Sequence, residues 1–127
     1  MQILLDNSET GKISFVYTLD TKIIHCQEYA VSIAVSPLIY LERLLKKVKK
    51  QLADVTGLAV IIGKGSFTST RVAVTLANTL ALALQIPVAA VEGGKKERWL
   101  EILSLRKKGE YILAQYSGPA NIGKKHS

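Results

Sequence analysis

The sequence predicts an α/β domain on a mixed five-stranded sheet, antiparallel across strands 1–3 and parallel across 1-4-5, with flanking helices. Three observations predict it. Gly57 to Val91, GLAVIIGKGSFTSTRVAVTLANTLALALQIPVAAV, reads as strand, glycine turn, helix and strand, and a unit of that length is parallel and right-handed. Residues 2–29 hold three short β-rich runs separated by turns, the mark of an antiparallel meander. The chain has 127 residues, the size of one domain.

The elements follow in order. Gln2–Leu5 is a short apolar strand ending at Asp6-Asn7-Ser8. In Lys12–Leu19, Ile13, Phe15 and Tyr17 alternate with Ser14, Val16 and Thr18; after the turn at Asp20-Thr21, Lys22–Tyr29 is the third strand. Ala30–Val35 fits either an extension of that strand or a loop. Ser36-Pro37 supplies an N-cap and a first-turn proline. The helix is read from Leu38 to about Val55, with Leu38, Leu41, Leu45, Val48 and Leu52 on one stripe.

Gly57–Ile62 is too short for a helix and suits a buried strand. After Gly63-Lys64-Gly65, a helix is read over Ser69–Leu84, ended by Ile86-Pro87, because the residue before proline is pushed out of the helical region. Val72, Leu76, Leu80 and Leu84 form one ridge on it, and Ala73, Ala77 and Ala81 form a smooth ridge beside it. So apolar a helix is buried on more than one side. Packing within the chain accounts for one side; a partner helix or the chain's own other helices account for the rest. Val88–Val91 is the fifth strand. A charged helix is read over Lys95–Lys108 with Trp99, Ile102 and Leu103 as its stripe and Gly109 as C-cap. Glu110–Tyr116 fits a short strand and Ser117–Ser127 a mobile tail.

Hydrophobic content of 48% with 21% charged residues belongs to a globular chain and not a disordered one. No apolar run reaches the ~18 residues of a membrane span, and a lone Cys26 makes no internal disulfide. A cytoplasmic location without membrane contact is expected. The net charge is +7, from 17 Lys+Arg against 10 Asp+Glu. It favours acidic partners, RNA included; Arg43, Lys46, Lys47, Lys49 and Lys50 read either as a basic patch or as a solvated helix face.

The motif Gly63-x-Gly65-Ser66-Phe67-Thr68-x-x-Arg71, followed by an Ala-rich helix and Ile86-Pro87-Val88, resembles the signature of the TsaB (YeaZ) family. The likeness covers most of residues 1–92 and fades beyond. It departs inside the motif at Lys64, Ser69 and Thr70, where the family usually shows Pro, Gly and Leu. Asp6-Asn7-Ser8 is similar to the family's Asp-Thr-Ser. The resemblance implies a ribonuclease-H-like, actin-type (ASKHA) single domain over residues 1–92. Residues 93–116 would then be a residual C-terminal helix and strand packed on it, and 117–127 a flexible tail. It further implies a non-catalytic role, with no cofactor, in making N6-threonylcarbamoyladenosine at position 37 of tRNA. The implied partners are a TsaD-like catalytic protein, a TsaE-like ATPase and, indirectly, tRNA, with homodimer formation when alone. Docking would use the two long helices, through Val72, Ala73, Leu76, Ala77, Leu80 and Ala81 with Leu41 and Leu45. The other class of function open to the sequence is a basic RNA-binding module.

The chemistry within reach is sparse. His25 and Cys26 are strand neighbours and point to opposite faces, and the chain has no His-x-x-x-His or Cys-x-x-Cys. Ser66 stands in Gly-Lys-Gly-Ser-Phe, not Gly-x-Ser-x-Gly. The spacing from Gly57 to Gly63 fails the phosphate-loop pattern. A looser anion or nucleotide site remains open to Asp6, Asn7 and Ser8 with Gly63, Lys64, Gly65 and Ser66, because backbone N–H groups at a helix start attract anions. The same residues serve equally as turn formers and caps, the glycines letting the turn pass close to the first strand. No metal ligand set is expected.

Overall fold

The computed structural model describes residues 1–19, 24–32, 35–63 and 67–112, the side chains of residues 67–69 excepted. Its sheet has the order β3-β2-β1-β4-β5, from β1 (Gln2–Asp6), β2 (Lys12–Thr18), β3 (Ile24–Ala30), β4 (Gly57–Ile62) and β5 (Val88–Glu92). β1 pairs antiparallel with β2 and parallel with β4, with Leu5 opposite Phe15 on one side and Val60 on the other. β4 pairs parallel with β5. The helices are α1 (Pro37–Lys47), α2 (Phe67–Leu84) and α3 (Trp99–Ser104).

Strand side chains alternate between faces, and here both faces are apolar. Ile3, Leu5, Phe15, Leu58, Val60 and Val88 pack under α1 and α2, while Leu4, Ala59, Ile61, Ala89 and Val91 pack with Trp99 and Leu103 of α3. The central strand β4 is buried throughout, as the unbroken apolar run Gly57–Ile62 requires of a parallel strand.

One helix ends where the sequence carries no conventional stop. Ser36 Oγ accepts from Leu38 N at 3.2 Å and starts α1 as expected, but α1 stops at Lys47 and does not run on to Val55. Lys49 adopts φ 61°, and Lys50 N donates to Leu45 O at 2.8 Å. That closes a left-handed helix cap that glycine usually occupies. The cause is tertiary: Thr56 N must reach Met1 O, at 2.8 Å, to set β4 beside β1. α2 ends likewise at Gln85, φ 57°, and begins at Phe67, two residues before the expected start.

After β5 the expected single helix is instead a 3-10 turn, Gly93–Arg98, followed by the short α3. Trp99 and Leu103 are buried against the sheet, and this docking kinks the segment. Gly109, φ 91°, lies beyond α3 and not at its cap. Residues 110–112 are not strand; the rest of the expected strand and the tail lie outside the described residues. Among those described, no helix is long and apolar enough to cross a membrane.

Candidate functional site

β1, β4 and β5 run parallel, so the segments after them meet at one sheet edge: Asp6-Asn7-Ser8, the turn begun by Gly63, and the 3-10 turn from Gly93. Ligands of open α/β sheets bind at this carboxyl edge. Asp6 is the polar centre. Its Oδ1 accepts from Ser8 N at 3.0 Å and Ser8 Oγ at 2.5 Å, an Asx-type turn, and its Oδ2 accepts from Lys96 Nζ at 3.1 Å. The Asp6 side chain is only 11% exposed.

Burial acts to raise the Asp6 pKa, but the Ser8 hydroxyl, the Ser8 N–H and the Lys96 ammonium together outweigh it and hold the carboxyl below its ordinary 3.8. A carboxylate with a depressed folded pKa adds stability above its unfolded value and loses it as pH falls through the folded one. Asp6→Asn is therefore expected to flatten the acid side of the stability curve below about pH 4 and leave the neutral-to-alkaline side parallel to the wild type. Thermal unfolding across a pH series checks this; an unchanged acid limb would show that Lys96 does not hold the carboxylate in solution.

The sequence pointed to Asp6 and Ser8 but not to Lys96, which lies 90 positions away and arrives only because β5 returns beside β4. Both Asp6 oxygens are engaged within the chain, so the turn is a structural clamp between the β1 and β5 ends. Gly63 has φ 84°, and a Cβ there would meet nothing within 4 Å. It is glycine for its left-handed backbone, not, as expected, to let the turn pass close to the first strand. Lys64, Gly65 and Ser66 lie outside the described residues. Among those described, no cluster of His, Cys, Asp or Glu could hold a metal.

The helical residues singled out divide in two. Ala73, Ala77 and Ala81 are 1–2% exposed, and Leu41 and Leu45 are 3% and 4% exposed; all five lie in the chain's own core. As surface that a partner touches in this conformation, they are corrected. The smooth alanine ridge faces the sheet, where the Leu, Val and Phe side chains of β1, β2 and β4 leave room only for small residues. Val72 is 41% exposed, and Leu76 and Leu80 are half-buried. With exposed Thr75, Thr79, Leu82 and Ala83 they make an outward face on α2. From Val72 to Val91 the chain contains no charged residue, so beyond the exposed Arg71 at its N-terminal end this face is neutral.

A second unforeseen feature fixes α2 from behind. Asn78 Nδ2 donates to Ile112 O at 2.8 Å and Asn78 Oδ1 accepts from Ile112 N at 3.0 Å, so the amide treats Ile112 as a strand partner would. Arg106 Nε donates to Val88 O at 3.0 Å and its Nη2 to Tyr111 O at 3.3 Å. Residues 105–112 thus strap the outer edge of β5, from α3 on one sheet face to α2 on the other.

The family model of TsaD, tRNA N6-adenosine threonylcarbamoyltransferase, matches residues 32–94, which run from before α1 to the turn after β5. No curated protein matches the chain. Among solved structures, a Pseudomonas aeruginosa protein described as similar to peptidase YeaZ is 30% identical, with a TM-score of 0.62. YeaZ from Pseudomonas aeruginosa is 31% identical, with the same TM-score. Each alignment covers 72% of this chain and 42% of the other, so the chain spans less than half the length of these relatives. The region that the family model matches includes α1 and the strand, glycine turn, helix and strand that carry the motif. The chain belongs to the YeaZ (TsaB) family.

Proposed function

We propose that the chain is a non-catalytic subunit of the machinery that makes N6-threonylcarbamoyladenosine in tRNA, docking on a TsaD-like catalytic partner through the outward face of α2 and the adjoining α1. One observation carries this reading: beyond Arg71 in its first turns, the exposed side of α2 (Val72, Thr75, Thr79, Leu82 and Ala83) carries no charge, whereas a solvated helix carries charge along its outer face. Leu76 and Leu80 of the same helix are half-buried, and Ile39 of α1 is exposed. The engagement of both Asp6 oxygens by Ser8 and Lys96 supports a structural use of the first turn over phosphate chemistry. Without a TsaD-like protein the same face would pair two copies of the chain.

Val72→Arg and Thr79→Arg test the face. Both positions are exposed, so each variant is expected to melt within a few degrees of wild type, since surface changes cost within about 0.5 kcal/mol. Each is expected to lose co-elution with the TsaD-like protein of the same organism, because an arginine buried unpaired at an interface costs several kcal/mol. A wild-type chain that never co-elutes with that protein, or variants that co-elute as wild type does, would sink the proposal.

A further inference from the structure

We infer that the C-terminal end of α1 is a contact site for the phosphate backbone of folded RNA, built from Arg43, Lys46, Lys47, Lys49 and Lys50. All five side chains are exposed. Lys12, Lys95, Lys96, Arg98 and Arg106 each form an ion pair, and among the described residues none of the five at the end of α1 does. The neighbouring acid on the C-terminal side, Asp54, turns its carboxylate to Gln51 N at 2.8 Å. Glu42, exposed one turn before Lys46, forms no ion pair with the cluster but offsets one of its charges, and the partial negative charge of one helix end offsets about half an elementary charge more.

The geometry points to a phosphate backbone more than to other anionic surfaces. The left-handed turn at Lys49 ends the helix, so Lys49 and Lys50 carry the cluster past the last turn of α1. Residues 43–50 expose no large apolar side chain beside the charges, which a membrane-seated helix needs for insertion. The Arg43 guanidinium lies over the Tyr40 ring, 5.1 Å from its centroid, and Tyr40 packs on Tyr29 of β3 at 5.7 Å. Lys47 Nζ donates to Gln27 Oε1 of the same strand. Two of the five cations are thereby held in place, which lowers the entropy lost on binding. The choice of tRNA as the RNA rests on the function proposed above; the charge cluster does not.

The test is tRNA-transcript binding by the full chain over a salt series. Each phosphate contact contributes about 0.7–0.9 to the slope of log affinity against log salt. Four to five contacts give a fall of roughly 100-fold for a four-fold rise in salt. Lys46→Gln/Lys49→Gly/Lys50→Gln is expected to lower the slope by about 2–3, while Lys107→Gln/Lys108→Gln, a control at two other exposed lysines, leaves it unchanged. Lys49→Gly alone is expected to lower the slope while holding or raising the melting temperature, because glycine suits the left-handed position. That result separates a charge contact from a structural role. Equal slope losses from both sets of variants, or binding to phosphatidylserine vesicles or polyglutamate with the same salt dependence, would overturn the site. Co-elution of the triple variant with the TsaD-like protein is expected to persist, so failure here leaves the docking proposal standing and the converse also holds.

Discussion

Ala77→Arg is expected to unfold the domain. Ala77 is 2% exposed, at the centre of the α2 ridge that meets the sheet. It borders an apolar cavity of about 10 Å³, closed by Phe15, Leu41, Leu76 and Leu80. That space is at most about the size of one water molecule, too small for an arginine side chain, and its lining offers no carboxylate. An uncompensated buried charge costs about 3–5 kcal/mol, and overpacking adds about 1–3, against a typical total stability of 5–15. Circular dichroism is expected to show loss of the cooperative melt or a midpoint lowered by more than ten degrees, at roughly 2–6 °C per kcal/mol. Thr79→Arg, two residues on and exposed, is the contrast and melts near the wild type. A cooperative Ala77→Arg melt at the wild-type temperature would mean that α2 is rotated and that its alanine ridge faces outward after all.

Asn78→Ala is expected to be the second most damaging single change on α2. It deletes both hydrogen bonds to Ile112 and leaves a backbone N–H and C=O without partners beside a side chain only 6% exposed. Leaving such groups unmade costs about 1–3 kcal/mol, which lowers the midpoint by roughly 5–10 °C. The Ile112 amide is expected to exchange far faster with deuterium, because the strap over β5 loses its anchor. Asn78→Asp, which keeps the acceptor for Ile112 N but sets a carboxylate against Ile112 O, is expected to recover part of the protection at most. Unchanged exchange at Ile112 with a normal melt would show that Arg106 and the Ile112 side chain hold the strap without Asn78.

The sequence by itself determined the sheet and its order. Apolar runs of period two with turn residues between them, and an apolar run, glycine turn, helix over Ser69–Leu84 and proline-stopped end at Gly57–Val91, admit few arrangements, since parallel crossovers are right-handed. Gly63 was legible as a turn residue but not in its reason, since a left-handed backbone and not close approach to the first strand explains it. Asp6 and Ser8 were legible as a turn because their hydrogen bonds are local. What the tertiary structure alone decided falls into three kinds. Helix ends at Lys49 and Gln85 carry no glycine; the need to bring Val55 beside the N-terminus and Val88 beside Leu58 imposed left-handed turns that local propensity does not favour. Contacts distant in the chain, Lys96 with Asp6 and Asn78 with Ile112, depend on where β5 and the strap return, and a one-dimensional pattern holds no such distance. The orientation of α2 is the third kind. Its apolar residues run almost all round the helix, so periodicity could not tell the ridge that meets the sheet from the ridge left for a partner. Close packing against the large side chains of β1, β2 and β4 settled it, admitting the alanines and turning Val72, Thr75, Thr79 and Leu82 outward.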